Sequence, residues 1–473
     1  MTEADTIPSE QAPPIVPVPL HSAVPSVQPE RLFRTLWLLT LPILAENLLH
    51  MIVGFTDTYL AGHLRENSKA ATAAVGSVAY VLWLVNLMAM AIASGATAIV
   101  ARAIGARHKR LANRVTGQAV AAAAILGLST AILFSILADP LANMTGLEGT
   151  AFEFARYYFR VLSFSLPFSI TTVAAAACLR GAGDTKSPAI AMIVVDLVNV
   201  ALSYGLARGA WGLPEMGFRG IAVGTVVAYT IGGIILVVVL ARGSIVRLYW
   251  HRLWPHWQTL KRLLRIGLPA GVGDILPWFA QFLILRMINQ LDATNVSGAA
   301  HMVTIRVESF SFTFGLAFMG ATATLVGQSL GRKDPARAAR AAWLAFACGA
   351  AVMLSWGVAF AVAGKYLAGF MNDDPAAVAL SAQCLFITSF AQLGFAATLV
   401  FGGALRGAGD TMVVMLINLI SQIGLRLGGV IVLTQVLRYD LRAVWFALAA
   451  ELSLRGLAIF IRFQHGGWKH VAV

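Results

Sequence analysis

The sequence predicts an all-α polytopic membrane protein, with twelve transmembrane helices in two pseudo-symmetric six-helix lobes. Three observations predict it. Of 473 residues, 58% are hydrophobic and only 12% charged, with a mean hydropathy of +0.75; soluble domains carry about 25% charged residues. Apolar stretches of about 20 residues, the length a helix needs to cross a bilayer, recur along the chain. The string LRGAGDT occurs twice, at Leu179–Thr185 and at Leu405–Thr411.

Spans are expected near 35–62, 70–100, 115–137, 154–178, 187–207, 220–241, 263–290, 298–328, 337–363, 378–404, 411–433 and 443–463. A β-barrel would show alternating strands of about ten residues instead. The chain is internally duplicated. Leu41-Pro42 opens the first span and Leu268-Pro269 the seventh. Gly95-Ala96-Thr97-Ala98, then Gly105 and Arg107 to Arg114, is echoed by Gly320-Ala321-Thr322-Ala323, then Gly331 and Arg332 to Arg340. These pairs and the LRGAGDT strings share an offset of about 226 residues, which marks a repeat. The expected organisation is a Pro-rich tail over 1–30, a lobe over 31–241, a linker over 242–262, a second lobe over 263–465 and a short tail over 466–473. The first tail holds seven of the 17 prolines and no long apolar run, which suits disorder. It lacks a signal peptide's apolar core, so it is expected to stay on the mature chain.

The net charge of +13 is a topology signal and needs no nucleic-acid partner. Arg102, Arg107, Lys109, Arg110 and Arg114 follow the second span. Arg242, Arg247, Arg252, Lys261, Arg262 and Arg265 follow the sixth, and Arg332, Lys333, Arg337 and Arg340 the eighth. All three loops fall on one side. The opposite loops hold Asp139, Glu148, Asp373 and Asp374. The positive-inside asymmetry puts both termini in the cytoplasm. Cys178, Cys348 and Cys384 lie inside expected helices without metal-like spacing and read as packing residues. No phosphate loop, HExxH or CxxC is present, so ATP hydrolysis and zinc hydrolysis are not expected. The chain reads as a non-enzyme without cofactor, whose transport would draw on an ion gradient.

The paired LRGAGDT turns, a first helix running from Pro42 to Asp57-Thr58-Tyr59-Leu60-Ala61-Gly62, and the segment Gly95 to Gly105 resemble the multidrug and toxic compound extrusion (MATE) family. Ile305-Arg306-Val307-Glu308-Ser309-Phe310, followed by Ala323-Thr324-Leu325-Val326-Gly327-Gln328, is similar to its prokaryotic branches. The resemblance covers roughly residues 31–465. It implies lobes related by a pseudo-two-fold axis along the membrane normal, and export of organic cations in exchange for protons or sodium. The partners expected are small organic cations and the bilayer of the inner membrane, with a monomer sufficient for function.

LRGAGDT itself is expected to be structural. Gly181 and Gly183 can take left-handed angles and end a helix. Asp184 and Thr185 can cap the next helix, with Pro188 in its first turn. Arg180 can meet helix-end carbonyls or anionic headgroups. The functional site is expected among intramembrane polar residues, because an ionised carboxylate at helix centre costs about 2.5–3.5 kcal/mol on insertion scales. Asp57 shares a helix face with Glu46 and His50. The resemblance makes Asp57 the cation-coupling residue and Pro42 the helix-bending proline of the proton-driven branch. Asp196, Asn199 and Ser203 share a face of the fifth span. The resemblance sets Asn199 opposite the first-helix acid, while one branch carries an aspartate where Ser203 stands here. Asp196 either replaces that carboxylate or hydrogen-bonds within the lobe. In the seventh span Pro277 stands where some relatives have a glutamate, with Asp274 one turn earlier.

Glu308 shares a face with His301 and Ile305, and either takes a cation or pairs with Arg306 or Arg286. His50 and His301 could carry protons, although a lone intramembrane histidine is more often a packing residue. Coupling is therefore assigned to Asp57, Asp196 and Asn199, and cavity or relay roles to Glu46, His50, Ser203 and Glu308. The alternative function is a flippase of lipid-linked precursors, which would want a cationic cavity; Arg286, Arg306, Arg426 and Arg455 are the intramembrane candidates. A non-transporting scaffold would leave the costly buried acids unexplained.

Overall fold

The computed structural model describes residues 29–243, 245–254, 256–292 and 296–471, and among these there is no strand. Helices α1 (Pro29–Gly62), α2 (Ser68–Gly105) and α3 (Lys109–Ile136) are each long and apolar enough to cross a bilayer. A short α4 (Ala138–Met144) leads to α5 (Gly149–Ser163) and α6 (Leu166–Ala182), a pair bent by 58°. Then come α7 (Lys186–Arg208) and α8 (Phe218–Arg242).

The second half repeats this order with α9 (Trp257–Asn289), α10 (Val296–Gly331) and α11 (Pro335–Gly369). The pair α12 (Pro375–Ser389) and α13 (Gln392–Ala408) is again bent by 58°. The next span starts as α14 (Thr411–Leu419). It loosens into π-type turns at Ile420–Leu427 and Val432–Val436, on either side of α15 (Gly428–Ile431). Helix α16 (Leu441–His465) ends the bundle. Ten spans and two bent pairs make the twelve expected, with each expected span lying inside its helices to within a residue. Helix α1 starts at Pro29, two residues inside the stretch expected as a tail; residues 1–28 of that tail lie outside the described residues.

The opening helix of each half crosses to the other half and returns. Leu32, Leu36, Leu39 and Ile43 of α1 share a core with Ala317, Phe318, Ala321 and Leu325 of α10. Further along α1, Val53 packs with Met192, Val195 and Ala228 of its own half. In α9, Leu263 and Ile266 join a core with Ile99, Val115 and Leu179, whereas Ile284 and Ile288 join Val430, Val444 and Trp445. Pro42 and Pro269 sit at the crossings, inside unbroken helices. A proline there removes one backbone hydrogen bond and lets the helix bend.

The LRGAGDT turns end α6 and α13 at Gly183 (φ 96°) and Gly409 (φ 86°). Asp184 then accepts from the Ser187 amide and hydroxyl at 3.0 and 2.7 Å. Gly181 departs from expectation. It stays inside α6, and a Cβ there would sit 2.9 Å from the Thr97 carbonyl oxygen. The short tail expected from residue 466 is also tied down: Gly467–His470 forms one tight turn, and Trp468 is fully buried and stacked on Phe463. Cys178 and Cys384 are buried, and all three cysteines are free.

Candidate cation-coupling site

The site gathers on α1 beyond the Pro42 crossing, where the helix has returned to its own half. Asp57 is 4% exposed. Its Oδ2 accepts from the Tyr158 hydroxyl of α5 at 2.9 Å and from the Thr225 hydroxyl of α8 at 2.8 Å. Its Oδ1 accepts from Asn199 Nδ2 of α7 at 3.3 Å. Asn199 Nδ2 also lies 3.0 Å from Thr225 Oγ1 and 3.4 Å from Ser203 Oγ. Four helices thus converge on one carboxylate. Helices α7 and α8 can approach this closely because residue 224 is glycine; a Cβ there would collide with Ser203. Phe218 packs edge-on against Tyr158 and holds its ring.

Every partner of Asp57 is neutral, and Lys and Arg are absent from the cluster. Asn199 Oδ1 is buried without a partner. A carboxylate only accepts, but a carboxylic acid also donates. Loading a proton on Asp57 therefore requires a new acceptor, and turning the Asn199 amide would present its free oxygen. The cluster can exchange one hydrogen-bond pattern for another as its charge changes.

Of the residues expected here, the structure brings together Asp57, Asn199 and Ser203, with Ser203 touching Asn199 but not Asp57. Asp196 lies one turn nearer the start of α7, 5% exposed, with neither oxygen hydrogen-bonded; the intra-lobe hydrogen bond offered as one of its roles is not formed. His50 is exposed, its ring 6.2 Å from that of Tyr229. Glu46 stands apart in an ion pair with Arg180 at 2.6 Å. Arg180 therefore meets a carboxylate, not the carbonyls or headgroups expected for it. Tyr158 and Thr225 are members that sequence reasoning missed.

Among the described residues the second half has no equivalent cluster. Asp274 pairs with Arg406 at 2.8 Å, the counterpart of Glu46 and Arg180. Glu308 accepts from Thr388 at 2.8 Å and forms no ion pair with Arg286 or Arg306. Glu451 holds Arg426 at 2.7 Å and Arg455 at 3.3 Å, and accepts from Ser421. His301 is fully buried beside Trp445 with neither ring nitrogen partnered. Among the described residues no group of three His, Cys, Asp or Glu side chains is placed to hold a metal ion.

Comparison with known proteins agrees with this architecture. The MatE family model matches residues 42–205 and 269–430, once in each half. A Thermotoga maritima protein described as a probable multidrug resistance protein NorM is 31% identical over 440 residues, 92% of this chain and 93% of its own. The uncharacterized transporter YisQ of Bacillus subtilis is 26% identical over 437 residues, 92% and 94% of the two chains. The Vibrio cholerae MATE transporter VcmN in the bent form superposes with a TM-score of 0.83 at 19% identity, over 93% of this chain and 97% of that one. A multidrug resistance MATE family transporter in an outward-facing conformation gives 0.84 at 19% identity, over 94% and 99%. At such identity the two structures speak for the fold alone. With both halves matched by one family model, and a 31% identical relative spanning nearly the whole chain, this multi-pass membrane protein belongs to the MATE family.

Proposed function

We propose that this protein is a secondary active antiporter that exports organic cations across the cytoplasmic membrane in exchange for protons, with sodium the second option. The observation that carries the proposal is Asp57, a buried carboxylate held by three neutral donors. With no arginine or lysine beside it, only a transported cation can neutralise its charge. Neutralisation removes the cost of holding a buried charge and obliges one of the donors to turn and accept, the Asn199 amide or a hydroxyl. Because the donors come from α5, α7 and α8, that rearrangement acts on the fit of α1 against its lobe. One pH unit supplies about 1.4 kcal/mol per proton, enough for roughly tenfold accumulation of substrate. A sodium ion would use the same oxygens of Asp57, Asn199 and Thr225.

The basic loops support termini in the cytoplasm, which puts Asp57 toward the outer end of α1. The homologues' names support drug-like substrates: the Thermotoga maritima relative is described as a probable multidrug resistance protein. The flippase reading needs a cationic cavity; of its four candidate arginines, Arg426 and Arg455 are held by Glu451, which leaves Arg286 and Arg306 to supply it.

The test is ethidium efflux from cells lacking their own pumps, comparing native protein with Asp57→Asn at matched expression. Efflux lost on adding an uncoupler, indifferent to sodium and absent in Asp57→Asn is expected. Full efflux by Asp57→Asn would overturn the coupling assignment, and sodium dependence would exchange the coupling ion.

A further inference from the structure

We propose that the linker between the lobes and the first turns of α9 form a binding surface for anionic phospholipid headgroups. The proposal goes beyond the transport reading and does not depend on which ion or substrate is carried. Three of the chain's 11 tryptophans fall within eight residues here, and Trp250, Trp254 and Trp257 are 67%, 80% and 71% exposed. The segment that carries them is fastened to the first lobe. Val246 and Leu248 are buried in a core with Ile99 and Val115. The Arg247 amide donates to Asn113 Oδ1 of α3 at 2.9 Å. Gln118, also of α3, donates to the Trp254 carbonyl at 2.8 Å and accepts from the His256 amide at 2.8 Å. Large indoles held outward on a fixed segment mark a surface that something covers.

Helix α9 supplies the charge. From Ile266 to Leu285 it carries no charged residue except Asp274, roughly 20 residues or about 30 Å of helix, the thickness of the hydrocarbon layer. The turns before Ile266 therefore stand at headgroup level. There Thr259 and Leu263 are buried against the first lobe, while Trp257, Lys261 and Arg265, spaced by four, and Arg262 beside them are exposed. Among the described residues Lys261, Arg262 and Arg265 form no ion pair, and the sequence holds no Asp or Glu between Glu215 and Asp274. Basic side chains at this level attract anionic lipid, and tryptophan rings settle at the boundary between headgroups and acyl chains. A soluble polyanion would meet the charges, but it does not reach indoles standing at the edge of the hydrocarbon layer. Trp250 and Trp254 belong to the linker, Lys261 and Arg265 to α9. A lipid bound here bridges the segment that joins the lobes and the helix that crosses between them.

The experiment is native mass spectrometry of the full chain in detergent, titrated with phosphatidylglycerol or with phosphatidylcholine. The native chain should bind phosphatidylglycerol about tenfold more tightly. Lys261→Gln, Arg262→Gln and Arg265→Gln in one chain should cut that preference about tenfold, since each basic residue near an anionic surface counts for several-fold. Arg332→Gln, Lys333→Gln and Arg340→Gln remove as much charge at the turn from α10 to α11, where no tryptophan accompanies the cations, and should leave most of the preference. Trp254→Ala with Trp257→Ala should weaken the binding of both lipids. Equal losses in the two charge variants would reduce the effect to the general positivity of that face and overturn the proposal, as would an unchanged preference in the first of them. Unchanged lipid binding in the tryptophan variant would overturn it independently of the charge variants. A surface whose charge removal abolishes binding of a fluorescent single-stranded oligonucleotide, with phosphatidylglycerol unaffected, would belong to a soluble polyanion instead.

Discussion

At the residue scale the site separates contact from proximity. Thr225 touches the carboxylate of Asp57, whereas Ser203 reaches only Asn199, at 3.4 Å. A hydrogen bond to a charged group contributes about 1.5–3 kcal/mol. Thr225→Val keeps the shape and removes the hydroxyl, so it should slow ethidium efflux by about tenfold or more. Ser203→Ala should change efflux less than about threefold, the effect of a weak neutral hydrogen bond. Initial efflux rates at matched expression check both, and equal losses would mean that the carboxylate contact is not what matters. The same contrast explains what the sequence could reveal. Asp57 and Asn199 stand out because acids and amides are costly inside a bilayer. Tyr158 and Thr225 carry no such signal, since tyrosines and hydroxyls are common in spans, where hydroxyls bond their own helix; Thr225 is also placed to donate to the Ile221 carbonyl. Only the approach of α8 to α7 at Gly224 turns that hydroxyl into a partner of Asp57.

At the element scale the duplicated string has a mechanical role. Each LRGAGDT arginine grips the opening helix of its own lobe just past the crossing proline, Arg180 on Glu46 and Arg406 on Asp274. The pairs fix where α1 and α9 return to their lobes. Removing one member leaves a mostly buried charge alone, which costs about 3–5 kcal/mol. Arg406→Gln should therefore lower thermal stability in detergent, with Asp274→Asn in the same chain recovering most of the loss. If the double variant is as unstable as the single, the pair is not what holds α9. The helices themselves were legible because bilayer thickness sets their length and composition. The two 58° bends were not. One follows from Pro167 at the start of α6, but the other has no proline. It lies where Gln392 accepts from Ser311 and donates to the Thr388 carbonyl, a tertiary arrangement no local pattern shows. The grip of Arg180 on Glu46 was hidden likewise, since the residues are 134 apart in the chain.

At the scale of the whole molecule the two halves are closed on each other at the end that carries the basic loops. A Cβ on Gly105 would collide with the Gln328 carbonyl, and a Cβ on Gly331 with the Arg102 carbonyl, so the same backbone approach is made twice by symmetry. Arg102 crosses the seam, donating to the Ala408 carbonyl at 2.8 Å and to the Val471 carbonyl at 2.7 Å. With the proposed orientation, this is the state closed to the cytoplasm. Alternating access needs that seam to open and reseal, and resealing needs a hydrogen atom where any side chain would stand. Gly105→Val should hold the seam apart, because overpacking of backbone against backbone has no rotamer to relieve it. It should abolish ethidium efflux while leaving the Asp57 cluster intact. Spin labels on Lys109→Cys and Ala336→Cys, with the three native cysteines replaced by alanine, would read the seam by double electron–electron resonance. The otherwise native chain should give a short, narrow distance, Asp57→Asn should keep it, and Gly105→Val should lengthen it. A native-like distance in Gly105→Val would mean that the glycine contact does not control closure, and that the cycle opens elsewhere.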